Sequence, residues 1–351
     1  MAELKKRILL IGPLPPPLGG TRVSFDLLLK DIEKSNLDFS LISLRVLPGR
    51  FANMLLQIKL FFQILLSIPF YQIISFHANP QRVGPWGIVF FAMARIFKRK
   101  FQIRLFGSDL DLYCEAKPLH KWYYKRLGSS DRILLQTKGL ITFWKENIGS
   151  VENIEWFPTS RPANKLVRKE EKLPSDKTTF VYVGHVKKEK GIQVLVEACM
   201  ILSKQEADFI VKVIGKCTDD TILRQLEQTP TIQYLGELPH AEIGKQLLQA
   251  DAFVYPSFWK GEGYPGALIE AMEAGLPIVT TRWRFLDELV EEGRNGFLVP
   301  IENNKGLADV MRKLVNNQAM LKEMGEQSYE RSKEFNSTDW NRKFIEIVGN
   351  N

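Results

Sequence analysis

Short apolar runs alternate with amphipathic segments along the whole chain, and this alternation is the main structural signal in the sequence. In the first half, five apolar runs are typical of buried strands: RILLI, FSLISL, YQIISF, FQIRLF and RILLQ. The segments between them carry apolar positions at helical spacing, over residues 22–33, 53–69, 85–97, 118–127 and 139–147. Strands that alternate with helices in this way indicate a parallel sheet with helices on both faces.

The alternation is interrupted at WFPTSRPANKLVRKEEKLPSDK (156–177), where prolines and charges indicate a linker. A second series of strands follows: TTFVYVG, FIVKVIG, TIQYLG, AFVYP, PIVTT and FLVP. We therefore expect a Rossmann-like N-terminal domain over 1–160, a second over 161–335, and a C-terminal helix, 336–351, that packs back toward the first. Because doubly wound domains bind ligands at the carboxyl ends of their strands, a ligand is expected in a cleft between the domains.

The most apolar stretch is NMLLQIKLFFQILLSIPF, residues 53–70. Gln57, Lys59 and Gln63 interrupt it, so it falls short of the roughly 18 uninterrupted apolar residues of a membrane-spanning helix. Its polar positions Lys59, Gln63 and Ser67 recur every four residues, which predicts a helix with one narrow polar stripe. We expect a helix packed on the sheet; the alternative is a helix that enters a membrane surface.

Composition limits the classes of protein and site. The chain of 351 residues is too long for one domain with a single hydrophobic core, and its length fits two domains. The three cysteines are far apart and form no C-x-x-C pair, which favours a reducing, cytoplasmic setting without a disulfide or zinc framework. The four histidines are equally scattered, so no metal site is expected. The N-terminal run ILLI is too short for a signal peptide.

Positive charge is concentrated in the first half. Residues 1–160 hold 22 Lys and Arg against 12 Asp and Glu, a net charge of +10, whereas residues 161–351 hold 26 against 28, a net charge of −2. No helix-turn-helix, zinc-finger or RNA-recognition signature accompanies the charge, so nucleic acid is not expected as a partner. An anionic membrane surface or a phosphorylated acceptor fits better, and we expect peripheral attachment to the cytoplasmic face of the membrane. Cations and aromatics are interleaved in two clusters, with Lys98, Arg99, Lys100, Lys121, Lys125 and Arg126 among Phe97, Phe101, Trp122, Tyr123 and Tyr124.

Residues 261–270 read GEGYPGALIE, and the first six satisfy G-x-G-x-x-G, the glycine spacing of a dinucleotide-binding turn. Two features argue against that interpretation. A dinucleotide turn leaves its strand directly, whereas SFWKG separates the strand AFVYP from Glu262. Glu262 would also place a negative charge beside a pyrophosphate. We therefore reject the dinucleotide interpretation.

The two carboxylates of this string, Glu262 and Glu270, fit another ligand. Pro265 suits the first turn of a helix, which places Glu262 just outside that helix and Glu270 within it. The amides of Gly263 and Tyr264, at the positive end of the helix dipole, can hold an anion. Each glutamate can accept from hydroxyls on one side of that anion. A ligand with hydroxyls on both sides of a diphosphate is a nucleoside-diphosphate sugar.

The string YPSFWKGEGYPGALIEAMEAGLPIVTT resembles the donor-binding segment of retaining GT-B glycosyltransferases of the family 4 type, the glycosyl transferases group 1. Three further segments resemble the family: FVYVGHVKKEKGIQVLVEA, IQYLGELPHAEIGKQLLQADAFVYPS and ELVEEGRNGFLVP. Together they cover the chain from about Phe180 to Pro300. The N-terminal half matches only in outline, through GPLPPPLGG and HANP. The resemblance implies the GT-B fold, two Rossmann-like domains that face a central cleft.

The resemblance also implies residue roles. Glu262 binds the hydroxyls of the donor sugar, Glu270 binds those of the ribose, and Lys190 neutralises the diphosphate. The family often has Arg at the position of His185, so neutralisation of the diphosphate falls to Lys190 with Lys187 or Lys188. The family's first-domain histidine corresponds to Phe106 here, so its sugar contact is absent or is supplied by His77 or Asp109. We therefore expect a catalytic set of Glu262, Lys190 and His77. The expected donor-binding set is Gly19, Gly20, His185, Lys190, Leu238, Glu262, Gly263, Tyr264 and Glu270.

The expected function is retaining transfer of a hexose from a UDP- or GDP-sugar to a saccharide or lipid-linked acceptor, in cell-surface polysaccharide or glycolipid synthesis. No cofactor is implied, and since no D-x-D-type motif is visible, no metal is expected. A sugar-nucleotide epimerase of GT-B architecture and a catalytically degenerate sugar-nucleotide-binding subunit are the alternatives.

Overall fold

The computed structural model describes residues 7–15, 19–150, 152–163 and 177–349. The chain divides into two compact units, one comprising Met1–Ser160 with Ser337–Asn351 and the other Arg161–Asn336. Each unit is built on a six-stranded sheet in which every paired strand runs parallel to its neighbour. The α/β class predicted from the alternating pattern is confirmed.

The sheet of the first unit has the order β2-β1-β3-β4-β5-β6. Its strands are β1 (Arg7–Gly12), β2 (Asp38–Ser43), β3 (Ile73–Ala78), β4 (Lys100–Leu105), β5 (Arg132–Leu135) and β6 (Ile154–Trp156). Its helices are α1 (Gly20–Glu33), α2 (Arg50–Ser67), α3 (Pro80–Ile96), α4 (Leu110–Ala116), α5 (Pro118–Leu127), α6 (Lys138–Asn147) and α13 (Ser337–Gly349). The apolar runs predicted as strands form β1 to β5, whereas β6 and α4 were not predicted.

The C-terminal helix α13 belongs to the core of the first unit. Phe344 and Val348 of this helix share a buried cluster with Phe25 and Leu28 of α1. The same cluster contains Phe157, which follows β6. The last helix is therefore an integral layer of this unit, because it covers apolar side chains that would otherwise face water.

The structure contradicts the expectation that the apolar segment 53–70 packs on the sheet. Within α2 only Leu60 and Ile64 are buried. By length and composition, residues 50–70 could cross a membrane. An 18-residue stretch within them has a mean hydropathy of 1.6, and only 17% of that stretch is buried. The three interrupting polar residues therefore lower the hydropathy less than the sequence interpretation assumed.

Two of the aromatics assigned to a membrane-facing surface are also in the core. Phe101 and Tyr124 are both fully buried. Phe101 lies in β4, and the Tyr124 hydroxyl donates to the carbonyl of Pro80 at 2.8 Å. Because α5 buries one of its faces against the unit, the KWYYKR cluster can expose only part of its aromatic surface.

The sheet of the second unit has the order β12-β11-β10-β7-β8-β9. Its strands are β7 (Thr178–Val183), β8 (Phe209–Ile214), β9 (Ile232–Gly236), β10 (Ala252–Tyr255), β11 (Ile278–Thr281) and β12 (Gly296–Val299). Its helices are α7 (Ile192–Ser203), α8 (Asp220–Glu227), α9 (His240–Gln249), α10 (Gly266–Glu273), α11 (Asn304–Val315) and α12 (Gln318–Ser332). Of the predicted linker 156–177, residues 164–176 lie outside the described residues.

The strand order of the second unit defines where its ligand site belongs. Chain order runs outward from β7 through β8 and β9 on one side, and then resumes at β10 on the other side of β7. The order of connections therefore reverses between β7 and β10, and the loops that follow these two strands lie at the switch point. Open parallel sheets bind ligands at this switch point.

Candidate functional site

The two loops at the switch point of the second unit are held together by the backbone. The loop after β7 contains a single 3-10 turn, Lys188–Lys190, and ends at Gly191. The amide of Phe258, in the loop after β10, donates to the carbonyl of Glu189 at 2.9 Å. Gly191 has a φ of +76°, and a Cβ there would lie 1.9 Å from the carbonyl oxygen of Pro256. Only glycine permits this approach of the two loops.

This approach brings Lys190 and Glu262 into a buried cluster. The Lys190 Nζ donates to Glu262 Oε2 at 2.7 Å and to the Tyr255 hydroxyl at 2.8 Å. The hydroxyl of Ser257 donates to the same oxygen of Glu262, and the Tyr255 hydroxyl lies 3.2 Å from it. The side chains of Lys190 and Glu262 are only 12% and 7% exposed. Two residues predicted to act on the same donor therefore lie in direct contact, although they are 72 positions apart in the chain.

The cluster contains one side chain that carries a positive charge, Lys190, and one that carries a negative charge, Glu262. Desolvation raises the pKa of Tyr255 well above its ordinary value, and the negative charge of Glu262 raises it further. Tyr255 therefore stays neutral and donates or accepts hydrogen bonds without adding a charge. A buried ammonium in such a setting interacts strongly with any anion that replaces or joins its carboxylate, because little water screens the charges.

Further cations lie along the loop after β7. The Lys187 Nζ lies 3.7 Å from the ring centroid of Trp259, in the loop after β10. His185 is exposed, and desolvation, Lys190 and Lys187 lower its pKa. His185 is therefore neutral near pH 7 and contributes hydrogen-bonding capacity to this loop, not a positive charge.

Glu270 forms a second buried ion pair, with Arg161. The Arg161 Nε donates to Glu270 Oε1 at 2.6 Å, and the two side chains are 6% and 12% exposed. The His240 Nε2 lies 3.4 Å from the same oxygen. Desolvation raises the pKa of Glu270, but the hydrogen bond with His240 and the charge of Arg161 outweigh it, so the net pKa lies below the ordinary value. Glu270 is therefore an ionised acceptor.

The last glycine of the GEGYPG string makes room for this pair. A Cβ at Gly266 would lie 1.6 Å from Arg161 Nη2. The guanidinium therefore lies directly against the first turn of α10, where any larger residue would displace it. Arg161, His240 and Glu270 line a cavity of about 500 Å³ together with Lys245 and Glu273. The cavity thus presents charged and hydrogen-bonding groups beside the carboxylate assigned to a ribose.

The remaining donor-binding residues of this unit lie around the same loops. Gly263 is buried, and Tyr264 is 3% exposed. The Tyr264 hydroxyl donates to Glu288, and its ring contacts Phe335 edge-on at 5.6 Å. Packing therefore anchors the Tyr264 side chain, so a ligand contact would fall to its backbone. Leu238 is half-buried in the loop between β9 and α9.

The structure gives His77 a different environment from the expected catalytic one. His77 is fully buried in β3, and its ring contacts those of Phe25, Phe106 and Phe344. Its Nε2 lies 2.7 Å from the hydroxyl of Ser75. Desolvation lowers its pKa well below the ordinary value, so the ring is neutral. In this position His77 cannot touch a sugar, and of the two alternatives only Asp109 has a partly exposed side chain.

A buried arginine accompanies His77. Arg104 pairs with His77 in the register of β3 and β4 and lies between the rings of Phe106 and Phe157, at 4.7 and 4.3 Å from their centroids. Burial lowers the pKa of Arg104 to about 9. Phe106, which occupies the position of the family's histidine, therefore serves as an aromatic surface for a buried cation.

The glycines after β1 have open surroundings. Gly19 precedes α1 with an extended backbone, and Gly20 is the first residue of that helix. A Cβ at either residue would meet no other described atom within 4 Å. The first unit itself therefore sets no steric requirement for glycine here. The expectation that both residues allow close approach to a phosphate stays a prediction.

Several site residues could not be recognised from the sequence. Arg161 lay at a predicted domain boundary, and His240, one of the four scattered histidines, had no assigned role. Tyr255 and Ser257 were part of the string that resembles the family, but their contacts with Glu262 had no sequence signal. A buried glutamate requires a partner, which is the one argument that could have prompted a search for Arg161. Among the described residues, no group of three or more His, Cys, Asp or Glu is placed to hold a metal ion.

The comparisons with known proteins cover the unit that contains these loops. Residues 164–331 match the family model for glycosyl transferases group 1. The matched residues fall within the second unit, which is therefore similar to a group 1 glycosyltransferase domain. A putative colanic acid biosynthesis glycosyltransferase from Salmonella typhimurium is 33% identical over 145 residues, which are 39% of this chain and 36% of that protein. An amylovoran biosynthesis glycosyltransferase from Erwinia amylovora is 28% identical over 57% of this chain and 51% of that protein. The matched part of the chain thus spans about a third to a half of the length of these curated relatives.

A structural likeness extends over both units of the chain. The crystal structure of Alr3699/HepE from Anabaena in complex with UDP and glucose has a TM-score of 0.75 and 15% identity, over 98% of this chain and 99% of that one. At this identity the likeness concerns the fold. It confirms the GT-B α/β fold predicted for the two Rossmann-like domains.

Proposed function

We propose that the protein is a retaining hexosyltransferase of family 4 type that uses a UDP- or GDP-sugar, requires no metal, and acts on a saccharide or lipid-linked acceptor. The observation that carries the proposal is the buried contact of Lys190 with Glu262 at the switch point of a group 1 glycosyltransferase domain. The names of the relatives support a role in polysaccharide biosynthesis. The basic first unit supports peripheral attachment to the cytoplasmic face of a membrane.

The Lys190 ammonium would meet the diphosphate of the donor. Without a ligand, Glu262 compensates its charge. An arriving diphosphate takes over part of that interaction, and Glu262 is then available to accept from a sugar hydroxyl. Tyr255 and Ser257 hold both groups in place. A cation that is already fixed where negative charge develops lowers the activation free energy, because it needs little reorganisation during the reaction.

Glu270 would bind the ribose. Its pKa is lowered below the ordinary value by its net interactions with His240 and Arg161, so it is a carboxylate that can accept from both ribose hydroxyls. The base would lie near Leu238, where the backbone before α9 offers donors and acceptors. The two glutamates thus act on opposite ends of one donor, eight positions apart on one loop and helix.

The proposed reaction exchanges one glycosidic bond for another on the same face of the sugar. The bond between the anomeric carbon and the diphosphate oxygen breaks, and its electron pair leaves with the diphosphate. The acceptor hydroxyl forms the new bond to the anomeric carbon, and its proton passes to the leaving phosphate. Lys190 stabilises the charge on the diphosphate during this exchange.

A donor panel tests the proposal. Purified protein is incubated with UDP- and GDP-sugars, with saccharide acceptors and with membrane lipid extracts, and products are analysed by mass spectrometry and NMR. We expect one donor class to give a glycosylated product with the anomeric configuration of the donor. Epimerised sugar without acceptor would indicate the epimerase, and nucleotide binding without turnover would indicate the degenerate subunit.

A further inference from the structure

The outward surface of α2 is apolar and exposed. We call it the α2 outer face; its members lie on one side of the helix, at spacings of three and four residues. Their exposed fractions range from 49% to 70%. The α2 outer face consists of Phe51, Met54, Leu55, Ile58, Phe62 and Leu66. Soluble proteins rarely leave so continuous an apolar surface in water without a binding role.

The orientation of α2 is fixed by its opposite side. Leu60 and Ile64 are buried against the unit. The Gln57 side chain donates to the carbonyl of Arg45 at 2.9 Å and accepts from Arg82 of α3 at 2.9 Å. Because polar and apolar contacts hold the inner side, the outer face stays directed away from the core.

The end of α2 continues this apolar surface. Phe70, just beyond the helix, is 69% exposed, and Ile96 and Phe97 at the end of α3 are 70% and 40% exposed. Arg99 Nη2 donates to the carbonyl of Pro69 at 2.8 Å, which ties the end of α3 to the end of α2. The apolar surface therefore includes two helix ends that this hydrogen bond joins.

The charged residues in the sequence segment that contains α2 have one sign. Residues 39–108 contain nine Lys and Arg and no Asp or Glu. The exposed cations of this segment are Arg45, Arg50, Lys59, Arg95 and Lys98. Apolar positions flanked only by cations complement a surface with an apolar interior and anionic groups at its boundary. An anionic phospholipid bilayer has that composition.

We propose that the α2 outer face inserts into the headgroup region of an anionic bilayer, with the helix axis in the membrane plane. This deepens the proposed function, on which it rests, by naming the surface that makes the membrane contact. A spanning helix would be surrounded by lipid, whereas α2 keeps Leu60, Ile64 and Gln57 against its unit. The α2 outer face is therefore the proposed membrane contact, in place of the two clusters of cations and aromatics, because Phe101 and Tyr124 of those clusters are buried.

Vesicle flotation tests the proposal with the full chain. Vesicles contain either phosphatidylcholine alone or phosphatidylcholine with a third of phosphatidylglycerol. We expect the protein to float with the anionic vesicles and to be released by salt. Phe62→Gln with Leu66→Gln is expected to weaken partition at least about tenfold, since two large apolar contacts are lost. Lys59→Gln and Lys98→Gln are each expected to weaken it about fivefold.

A matched control comes from the second unit. Met200 is 47% exposed on α7, so Met200→Gln removes a similarly exposed apolar side chain and is expected to leave flotation unchanged. Unchanged flotation of the Phe62→Gln, Leu66→Gln variant, with an unaltered unfolding curve, would overturn the proposal. Resistance of the bound protein to carbonate extraction would also overturn it, because that outcome indicates a spanning helix.

A local probe separates insertion from an indirect effect. A fluorophore attached at Phe62→Cys in a Cys217→Ser background is expected to shift its emission to the blue with anionic vesicles, and the same label at Met200→Cys is not. No shift at position 62 contradicts insertion. Calorimetry with UDP and GDP is run in parallel. If the Phe62→Gln, Leu66→Gln variant loses flotation but still binds nucleotide, its donor site is intact. If wild type binds no nucleotide, that result refutes the proposed function and not the membrane contact.

Discussion

The two units differ in the number of apolar residues that they expose and in whether their charged residues are exposed or buried in pairs. Of the 18 exposed large hydrophobic residues among the described parts of the chain, 15 lie in the first unit and three in the second. The first half also carries the whole net positive charge. The second unit instead buries two pairs of opposite charges, Lys190 with Glu262 and Arg161 with Glu270. One unit is thus suited to an extended surface, and the other to a small anionic ligand.

The difference has a physical origin. A small charged ligand gains most where water is excluded and opposite charges are already positioned, which requires closed, well-packed loops. A membrane surface gains from exposed apolar area and from cations that reach anionic headgroups. The following predictions test whether each unit behaves as its surface indicates.

The largest expected effect is on the stability of the second unit. Arg161→Met leaves the carboxylate of Glu270 buried with only the longer contact of His240, at 3.4 Å, so the free energy of unfolding is expected to fall by about 3–5 kcal/mol. Urea denaturation measures it. Arg282→Met removes an exposed pair with Glu292 and is expected to cost less than about 1 kcal/mol. Equal losses in the two variants would show that burial does not distinguish the pairs.

The next effect is on turnover. Lys190→Gln removes the buried cation assigned to the diphosphate, and the rate of sugar transfer is expected to fall about 10²–10³-fold. Lys188→Gln, an exposed neighbour in the same turn, serves as the matched control and is expected to retain most of the rate. Similar rates in both variants would remove Lys190 from the proposed mechanism.

The two glutamates are expected to separate binding from turnover. Glu270→Gln weakens the ribose contact, and nucleotide affinity measured by calorimetry is expected to fall by about 1.5–3 kcal/mol. Glu262→Gln is expected to lower turnover more than affinity for UDP or GDP, because its partner is the transferred sugar. If Glu262→Gln abolished nucleotide binding while turnover per bound donor stayed normal, the two assignments would be wrong.

A smaller effect concerns the pH dependence of stability. The pKa of Glu270 lies below its ordinary value of 4.5 in the folded chain, so its ionisation stabilises the fold above that pH and this contribution is lost as the pH falls through the folded pKa. Between about pH 5 and about pH 3, we expect the free energy of unfolding to fall more steeply for wild type than for Glu270→Gln. Parallel declines would contradict the shifted pKa.

The smallest expected effect is that of chelation. Because Lys190 meets the diphosphate charge in the proposed mechanism, activity is expected to be unchanged by EDTA. The assay compares rates with EDTA, with EDTA followed by excess Mg²⁺, and without either. Loss of activity that Mg²⁺ restores would overturn metal independence.

Much of the fold followed from local pattern. Buried parallel strands must be apolar on both faces, so runs such as RILLI and FVYV are visible without any knowledge of their neighbours. Strand β6 and helix α4 escaped prediction because they are short and carry polar residues. The GEGYPGALIE string was likewise visible, since its glycines, proline and glutamates have meaning in sequence order.

The sequence by itself determined most of the strand and helix series, the resemblance of the second unit to group 1 glycosyltransferases and the uneven distribution of charge, because these depend on residue type and spacing. Tertiary structure alone decided which residues meet. Arg161 contacts Glu270 across 109 positions, His77 is enclosed by the rings of α1 and α13, and α2 buries only one side. Burial and pairing depend on elements far away in the chain, so no local pattern could have distinguished an exposed apolar helix from a packed one.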